Sequence, residues 1–153
     1  MTEVSVVGPA DGEVFQLGST RMRILEDGHT TEHRLGLAEI TLAPHTGGPP
    51  QHRHARHDEG FYVVCGTARF TVGETTHEAA AGTLVMIPPG APHTFANPGD
   101  QPAVLLNSFT PDLYVQYFRD LRDMIAGGQP LTPESTIEVM SRYATGPADD
   151  FAQ

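Results

Sequence analysis

Four of the eight histidines in the chain, His45, His52, His54 and His57, fall within thirteen residues. His52 and His54 are the informative pair. On an extended strand, residues two apart point to the same side, so both imidazoles can face one interior point. Glu59 follows five residues after His54, far enough for a short turn to return the chain and aim its carboxylate at that point. Further on, Gly82 to Asn97 reads as a strand, Thr83–Ile87, a Pro/Gly turn, and a returning strand from His93. Such a hairpin can bring His93 to the same place from another direction. Imidazole plus carboxylate suits Fe, Mn, Ni, Cu or Zn, and the affinity order alone does not choose among them. Taken singly, a strand histidine is more often a hydrogen-bonded structural residue, and Glu59 would read as a surface acid. The four together, at this spacing, point to a metal. His57 is the nearest rival ligand, although its position fits a loop facing solvent, and Asp58 could replace Glu59 in a shifted register. His45 fits a place at the mouth of the fold, and His29, His33 and His77 fit the surface. Asn97 reads as a turn or supporting residue, and Cys65 as a small buried thiol on the inner face.

Positioning such a cluster needs strands. From Glu13 to about Phe109, short runs rich in Val, Leu, Ile, Thr and Phe are broken repeatedly by Gly, Pro and Asp. Val14–Leu17, Arg21–Leu25, Arg34–Leu42, Gly60–Cys65, Ala68–Val72, Thr83–Ile87 and Ala103–Phe109 argue for an antiparallel sandwich or barrel. In the third run, Leu35, Leu37, Glu39 and Thr41 oppose Gly36, Ala38, Ile40 and Leu42, the period of a half-buried strand. After Phe109 the character changes. Thr110-Pro111-Asp112 carries the marks of a helix start, and Leu113, Tyr117, Leu121 and Ile125 then recur at i, i+4, widened by Tyr114, Phe118 and Met124. This aromatic stripe reads as packing against the barrel rather than as a cofactor site. Gly127-Gly128 ends that helix. Thr132-Pro133-Glu134 opens a second, with Ile137, Met140 and Ala144 on one face until Gly146-Pro147. The expected organisation is a barrel over 1–110, with its core at about 30–110, a helical extension packed on it over 111–146, and a frayed tail over 147–153.

Composition narrows the partners. The 153 residues include 16 Gly and 13 Pro, which favours short elements joined by tight turns. Only 18% are charged, against roughly 25% in an average soluble protein. Nine arginines, with no lysine, stand against 19 acids for a formal charge of -10. Counterion release from a phosphate backbone needs clustered positive charge, so neither nucleic acid nor an anionic membrane is an expected partner. One cysteine forms no internal disulfide, the N-terminus has no basic-then-apolar leader, and no apolar run approaches the roughly 20 residues that span a bilayer. The expected location is cytoplasmic.

At His52-Arg-His54-(four residues)-Glu59-(six residues)-Gly66 the chain resembles the cupin superfamily, whose first motif is G-x5-H-x-H-x(3,4)-E-x6-G. Its opening Gly departs, because Gly47 stands one residue nearer His52 than the pattern asks. The second motif, G-x5-P-x-G-x2-H-x3-N, is matched at Gly82, Pro88, Gly90, His93 and Asn97. The resemblance implies an all-β fold, a double-stranded β-helix or jelly-roll barrel, here followed by a pair of short C-terminal α-helices. It implies one divalent transition metal per chain (Fe, Ni, Mn, Cu or Zn) held by His52, His54, Glu59 and His93. Glu-Gly-Phe-Tyr-Val-Val and the C-terminal helices make the chain similar to quercetin 2,3-dioxygenase-type cupins. That implies a dioxygenase acting on a small enol, flavonol-like or polyketide-like substrate, with Glu59 as proton acceptor. A metal-dependent isomerase, cyclase or decarboxylase that uses no oxygen, and a non-catalytic small-molecule binder, stand beside it. Phe61, Val63, Met86 and Phe95 are expected to wall a dry substrate pocket. Homodimerisation is implied by resemblance alone.

Overall fold

In the computed structural model, which describes residues 3–149, the strand-forming runs pair into antiparallel sheets. In chain order the strands are β1 (Glu13–Leu17), β2 (Thr20–Asp27), β3 (Gly36–Leu42), β4 (His52–His54), β5 (Asp58–Cys65), β6 (Thr67–Val72), β7 (Thr75–Ala80), β8 (Leu84–Ile87), β9 (Thr94–Ala96), β10 (Ala103–Thr110) and β11 (Thr145–Pro147). A six-stranded sheet has the order β1-β2-β3-β10-β5-β8, and a three-stranded sheet the order β7-β6-β9. The third pair is β11-β4. The two larger sheets face one another as a jelly-roll barrel, and ring contacts of 5.1 Å from Phe61 to both Phe70 and Phe95 join them across the interior.

Period-two alternation sets which side chains enter. Gly36, Ala38, Ile40 and Leu42 are buried along β3, and Ala103, Leu105, Asn107 and Phe109 along β10. On β5 the inward residues are Glu59, Phe61 and Val63, all at most 3% exposed. β8 corrects one expectation. Glu59 pairs with Ile87 and Gly60 with Met86, so Ile87 turns inward while Met86 faces out, 51% exposed. Cys65 is likewise exposed, not on the inner face, because the ladder between β5 and β10 shifts register beside it, between Val104 and Leu105.

Two α-helices follow the barrel. α1 (Val115–Ala126) starts later than the Thr110-Pro111-Asp112 signal implies. Thr110 still belongs to β10, the Thr110–Pro111 bond is cis, and the Asp112 carboxylate accepts the backbone N–H of Tyr114 and of Val115. Asp112 therefore caps from outside the first turn, and Leu113 lies before the helix, exposed. The face turned to the barrel is Val115, Tyr117, Phe118 and Leu121. α2 (Pro133–Met140) opens as expected at Thr132, in a capping box with Ser135. It ends at Met140, a 3-10 turn spans Ser141–Tyr143, and Ala144 takes a left-handed conformation.

The expected frayed tail is corrected for its first residues. Pro147 belongs to β11, and Ala148 is buried and donates its N–H to the Gln51 carbonyl at 3.0 Å. The free edge of β4 supplies the partner that holds this segment. Residues 150–153 of that tail lie outside the described residues. Among the described residues, no helix is long and apolar enough to cross a membrane.

Candidate metal centre

The two ligand histidines of β4 follow strand parity: His52 and His54 are 3% and 2% exposed, with half-buried Arg53 between them. Glu59, one residue into β5, is 3% exposed, whereas Asp58 pairs with Thr110 and is only half-buried. His93 arrives opposite His52, and the two exchange backbone hydrogen bonds of 3.0 and 3.1 Å. The turn before it needs Gly90, which has φ +86° and donates its N–H to the His54 carbonyl. One donor atom from each of His52, His54, Glu59 and His93 lies within 4.8 Å of the others. Nitrogen and oxygen ligands bind such ions at about 2.0–2.2 Å, so opposite ligands of one ion stand about twice that apart.

The outer nitrogens decide the orientation of the rings. Nδ1 of His52 donates to the Pro50 carbonyl at 2.8 Å, and Nδ1 of His93 to the Ala91 carbonyl at 3.0 Å. Nδ1 of His54 bonds the Thr145 hydroxyl at 2.8 Å. That hydroxyl donates its own proton to the Tyr143 carbonyl, so it accepts from His54. With Nδ1 carrying the proton, the Nε2 atoms of His52 and His54 offer lone pairs toward the centre, as metal-binding imidazoles require, while His93 Nε2 lies 2.9 Å from Glu59 Oε1 and would turn its lone pair to an ion on losing its proton. His54 Nε2 stands 3.5 Å from Glu59 Oε1, outside hydrogen-bond geometry, and has no other partner. A buried nitrogen with no protein partner beside a carboxylate is an arrangement that a bound cation would satisfy. The residues fit a metal.

Electrostatics agree. Burial, reinforced by its neighbours His93 and His54, brings His52 down to about 3, so its ring is neutral. Burial would raise Glu59, but the close approach of His54 and His93 outweighs it and holds the carboxyl well below the usual range. Burial likewise opposes protonation of His93, and the 2.9 Å contact with Glu59 overcomes it, raising His93.

Other expectations fare variously. His57 is not solvent-facing: it is 1% exposed, its ring 4.3 Å from that of His54, with both nitrogens unpartnered. Burial lowers it to about 4. It lies behind His54 because the ends of β5 and β10 and Tyr114 close over it, with Phe109 at 5.6 Å and Tyr114 at 5.4 Å. His45 is exposed and pairs with Asp100 at 2.8 Å. His29, His33 and His77 are exposed. Asn97 supports a loop: its side-chain amide donates to the carbonyls of Leu42, Ala43 and Gln101. That loop packs so tightly that a Cβ on Gly48 would sit 1.7 Å from the Phe95 carbonyl oxygen.

A cavity of about 310 Å³ opens beside His52 and Glu59. Of the four expected pocket residues only Phe95 lines it. Phe61 and Val63 are fully buried in packed core, and Met86 is on the outer face. Its walls come instead from Met22, Ile40 and Leu42 of the sheet and from Tyr114, Tyr117, Phe118 and Leu121 at α1. The aromatic stripe thus both packs on the barrel and walls the cavity. Sequence reasoning missed three residues here. Asn107 was legible from the alternation of β10 and Tyr114 from the aromatic stripe, which by itself reads as packing, whereas Thr145 had no local signal.

Residues 38–109 match the family model described as Cupin domain. No curated protein matches the chain in sequence. Among solved structures, a predicted oxalate decarboxylase from Thermotoga maritima aligns with TM-score 0.63 at 19% identity, over 70% of this chain and 99% of that one. KdgF from Halomonas sp. gives 0.63 at 15% identity, over 71% and 94%. The polyketide cyclase RemF from Streptomyces resistomycificus gives 0.61 at 24% identity, over 71% and 80%. Residues 38–109 are thus similar to cupin domains, and the chain shares the jelly-roll fold of these structures, with both histidine motifs meeting on one buried cluster.

Proposed function

We propose that the protein is a metal-dependent cupin enzyme, a dioxygenase acting on a small, planar, largely apolar molecule with an enol or phenol hydroxyl. The observation that carries this reading is the 310 Å³ cavity, walled mostly by apolar side chains, that opens on His52 and Glu59. Its volume lies at the small end of ligand pockets and its lining suits an aromatic ring system. When bound, a divalent ion would lower the pKa of a coordinated hydroxyl and leave positions open for oxygen or a second substrate atom. His52, His54, His93 and Glu59 would hold that ion, the Nδ1 protons of the three histidines fixed by Pro50, Thr145 and Ala91. Glu59, buried and lining the cavity, serves also as the acceptor of the substrate's proton. Phe118 and Leu121 add apolar surface to the cavity wall.

A second reading is an isomerase, cyclase or decarboxylase that uses no oxygen. It is favoured by the fold shared with a polyketide cyclase and a predicted oxalate decarboxylase, and by the two tyrosines at the cavity wall. Elemental analysis of untagged protein comes first, with near-stoichiometric Fe, Ni, Mn or Cu expected. His93→Ala should weaken metal binding by more than about 100-fold, beyond the 10- to 100-fold typical of a ligand's supporting partner. Oxygen uptake with flavonols and enediones then tests the dioxygenase. Turnover that continues unchanged under strict anaerobiosis would replace it with the second reading. Protein that stays metal-free after reconstitution would overturn both.

A further inference from the structure

Two buried polar atoms on residues that line the cavity have no partner in hydrogen-bond geometry. Asn107 is 1% exposed and lines the cavity on β10. Its Nδ2 donates to the Gly60 carbonyl at 3.0 Å. Because that carbonyl only accepts, the amide cannot be turned the other way, and Oδ1 is left without a partner. Tyr114 is 3% exposed and lines the cavity from the segment leading into α1. Its hydroxyl also lacks a partner. The Tyr117 hydroxyl is near enough to act on it electrostatically but not in hydrogen-bond geometry. Most buried polar groups find partners, and those that do not need a reason. Much of the surrounding wall is apolar, with Leu17, Met22, Ile40, Leu42, Phe118 and Leu121 among its residues.

We infer that Asn107 Oδ1 and the Tyr114 hydroxyl are a substrate-recognition pair, one accepting from a hydroxyl and the other donating to a carbonyl of a bicyclic-sized hydroxy-ketone. This rests on the cavity being the substrate site of the function proposed above. It adds that selectivity is set partly from outside the cupin domain, since Tyr114 lies beyond residue 109. A ligand carrying both groups satisfies both atoms. A ligand carrying neither leaves them buried and unpaired, which is how polar sites reject apolar analogues.

Calorimetric titration of the protein as purified with 3-hydroxychromone (both groups), chromone (carbonyl only) and naphthalene (neither) tests this. The expected order of affinity is 3-hydroxychromone, then chromone, then naphthalene. Tyr114→Phe removes only an oxygen that bonds nothing, so its melting temperature should not fall. It should weaken both chromones by about 2- to 12-fold, the range of one hydrogen bond, and leave naphthalene unchanged. Asn107→Leu should abolish the advantage of 3-hydroxychromone over chromone. Native protein that binds naphthalene as tightly as chromone overturns the proposal, as does a Tyr114→Phe effect equal on all three probes. A hydroxyl preference that survives Asn107→Leu comes from the metal centre and overturns the role of Asn107. Should Asn107→Leu fail to fold, having stripped the donor from Gly60, Tyr114→Phe read against chromone and naphthalene decides alone. Oxygen uptake is not part of this readout, so loss of the dioxygenase reading would register separately.

Discussion

The two halves of the barrel interior use the same strands for opposite purposes. In one half, Phe61 of β5 packs against Phe70 of the smaller sheet, and Val63 of β5, Leu105 of β10 and Ala79 are likewise buried in the core. In the other half, two residues along each strand, Glu59 and Asn107 face a cavity with His52 beside them. Neither strand changes its parity between the halves. What changes is the opposing wall: the three-stranded sheet closes the packed half, while β4, His93 and the C-terminal helices close the other. Position along a strand therefore decides whether an inward side chain contributes packing or chemistry.

The largest expected effect breaks the packed half. Phe61→Ala should cost about 3–5 kcal/mol of stability by chemical denaturation, the range for deleting a buried aromatic ring. A cost below about 1 kcal/mol would mean that this half is not the stabilising one.

A second test sharpens the hollow half. Thr145→Val keeps the size of the side chain but removes the acceptor that fixes the His54 ring. Metal affinity should fall about 10- to 100-fold in a competition titration with a chelating dye, and Thr145→Ser should restore it. Equal loss in the serine variant would show that the β11 strand, rather than the hydroxyl, is what counts.

A smaller effect concerns how the helical wall is held. Arg119 of α1 reaches Glu13 at 2.8 Å and Asp27 at 2.9 Å, tying the helix to β1 and β2. Burial would raise Asp27, but the hydrogen bond and charge of Arg119 outweigh it and lower it below 3.8. A depressed folded-state value means that the pair's contribution is complete above the unfolded value and is lost as pH falls through the folded one. Arg119→Ala should therefore cost about 0.5–1 kcal/mol at pH 7. The gap between it and the native protein should close below about pH 4 in thermal melts. A gap independent of pH would assign the loss to the packing of the arginine stem.

The smallest effect tests the outer face. Met86→Gln should change stability by less than about 0.5 kcal/mol and leave metal content intact, as for most exposed positions. A drop in metal content would return Met86 to the cavity.

The metal cluster was legible because its signals are local. His52 and His54 share a side through strand parity, and Glu59 and His93 stand at motif spacings that short turns bridge. Parity misled where register was unknown. Placing Met86 in the pocket required β8 to pair one residue differently with β5, and a one-residue slip turns every side chain to the other face. The reading of His57 as solvent-facing took account of its own loop and not of Tyr114, which arrives from much later in the chain to cover it.

The amino-acid sequence by itself determined the strand-rich barrel, the four candidate ligands and the existence of two helices, because alternation, capping and motif spacing act over a few residues. Only the tertiary structure decided where those helices pack, which side chains wall the cavity, and that Thr145, 91 residues from His54, orients its ring. Those outcomes depend on which distant segments meet, and that is set by the whole packed chain rather than by any short stretch of it.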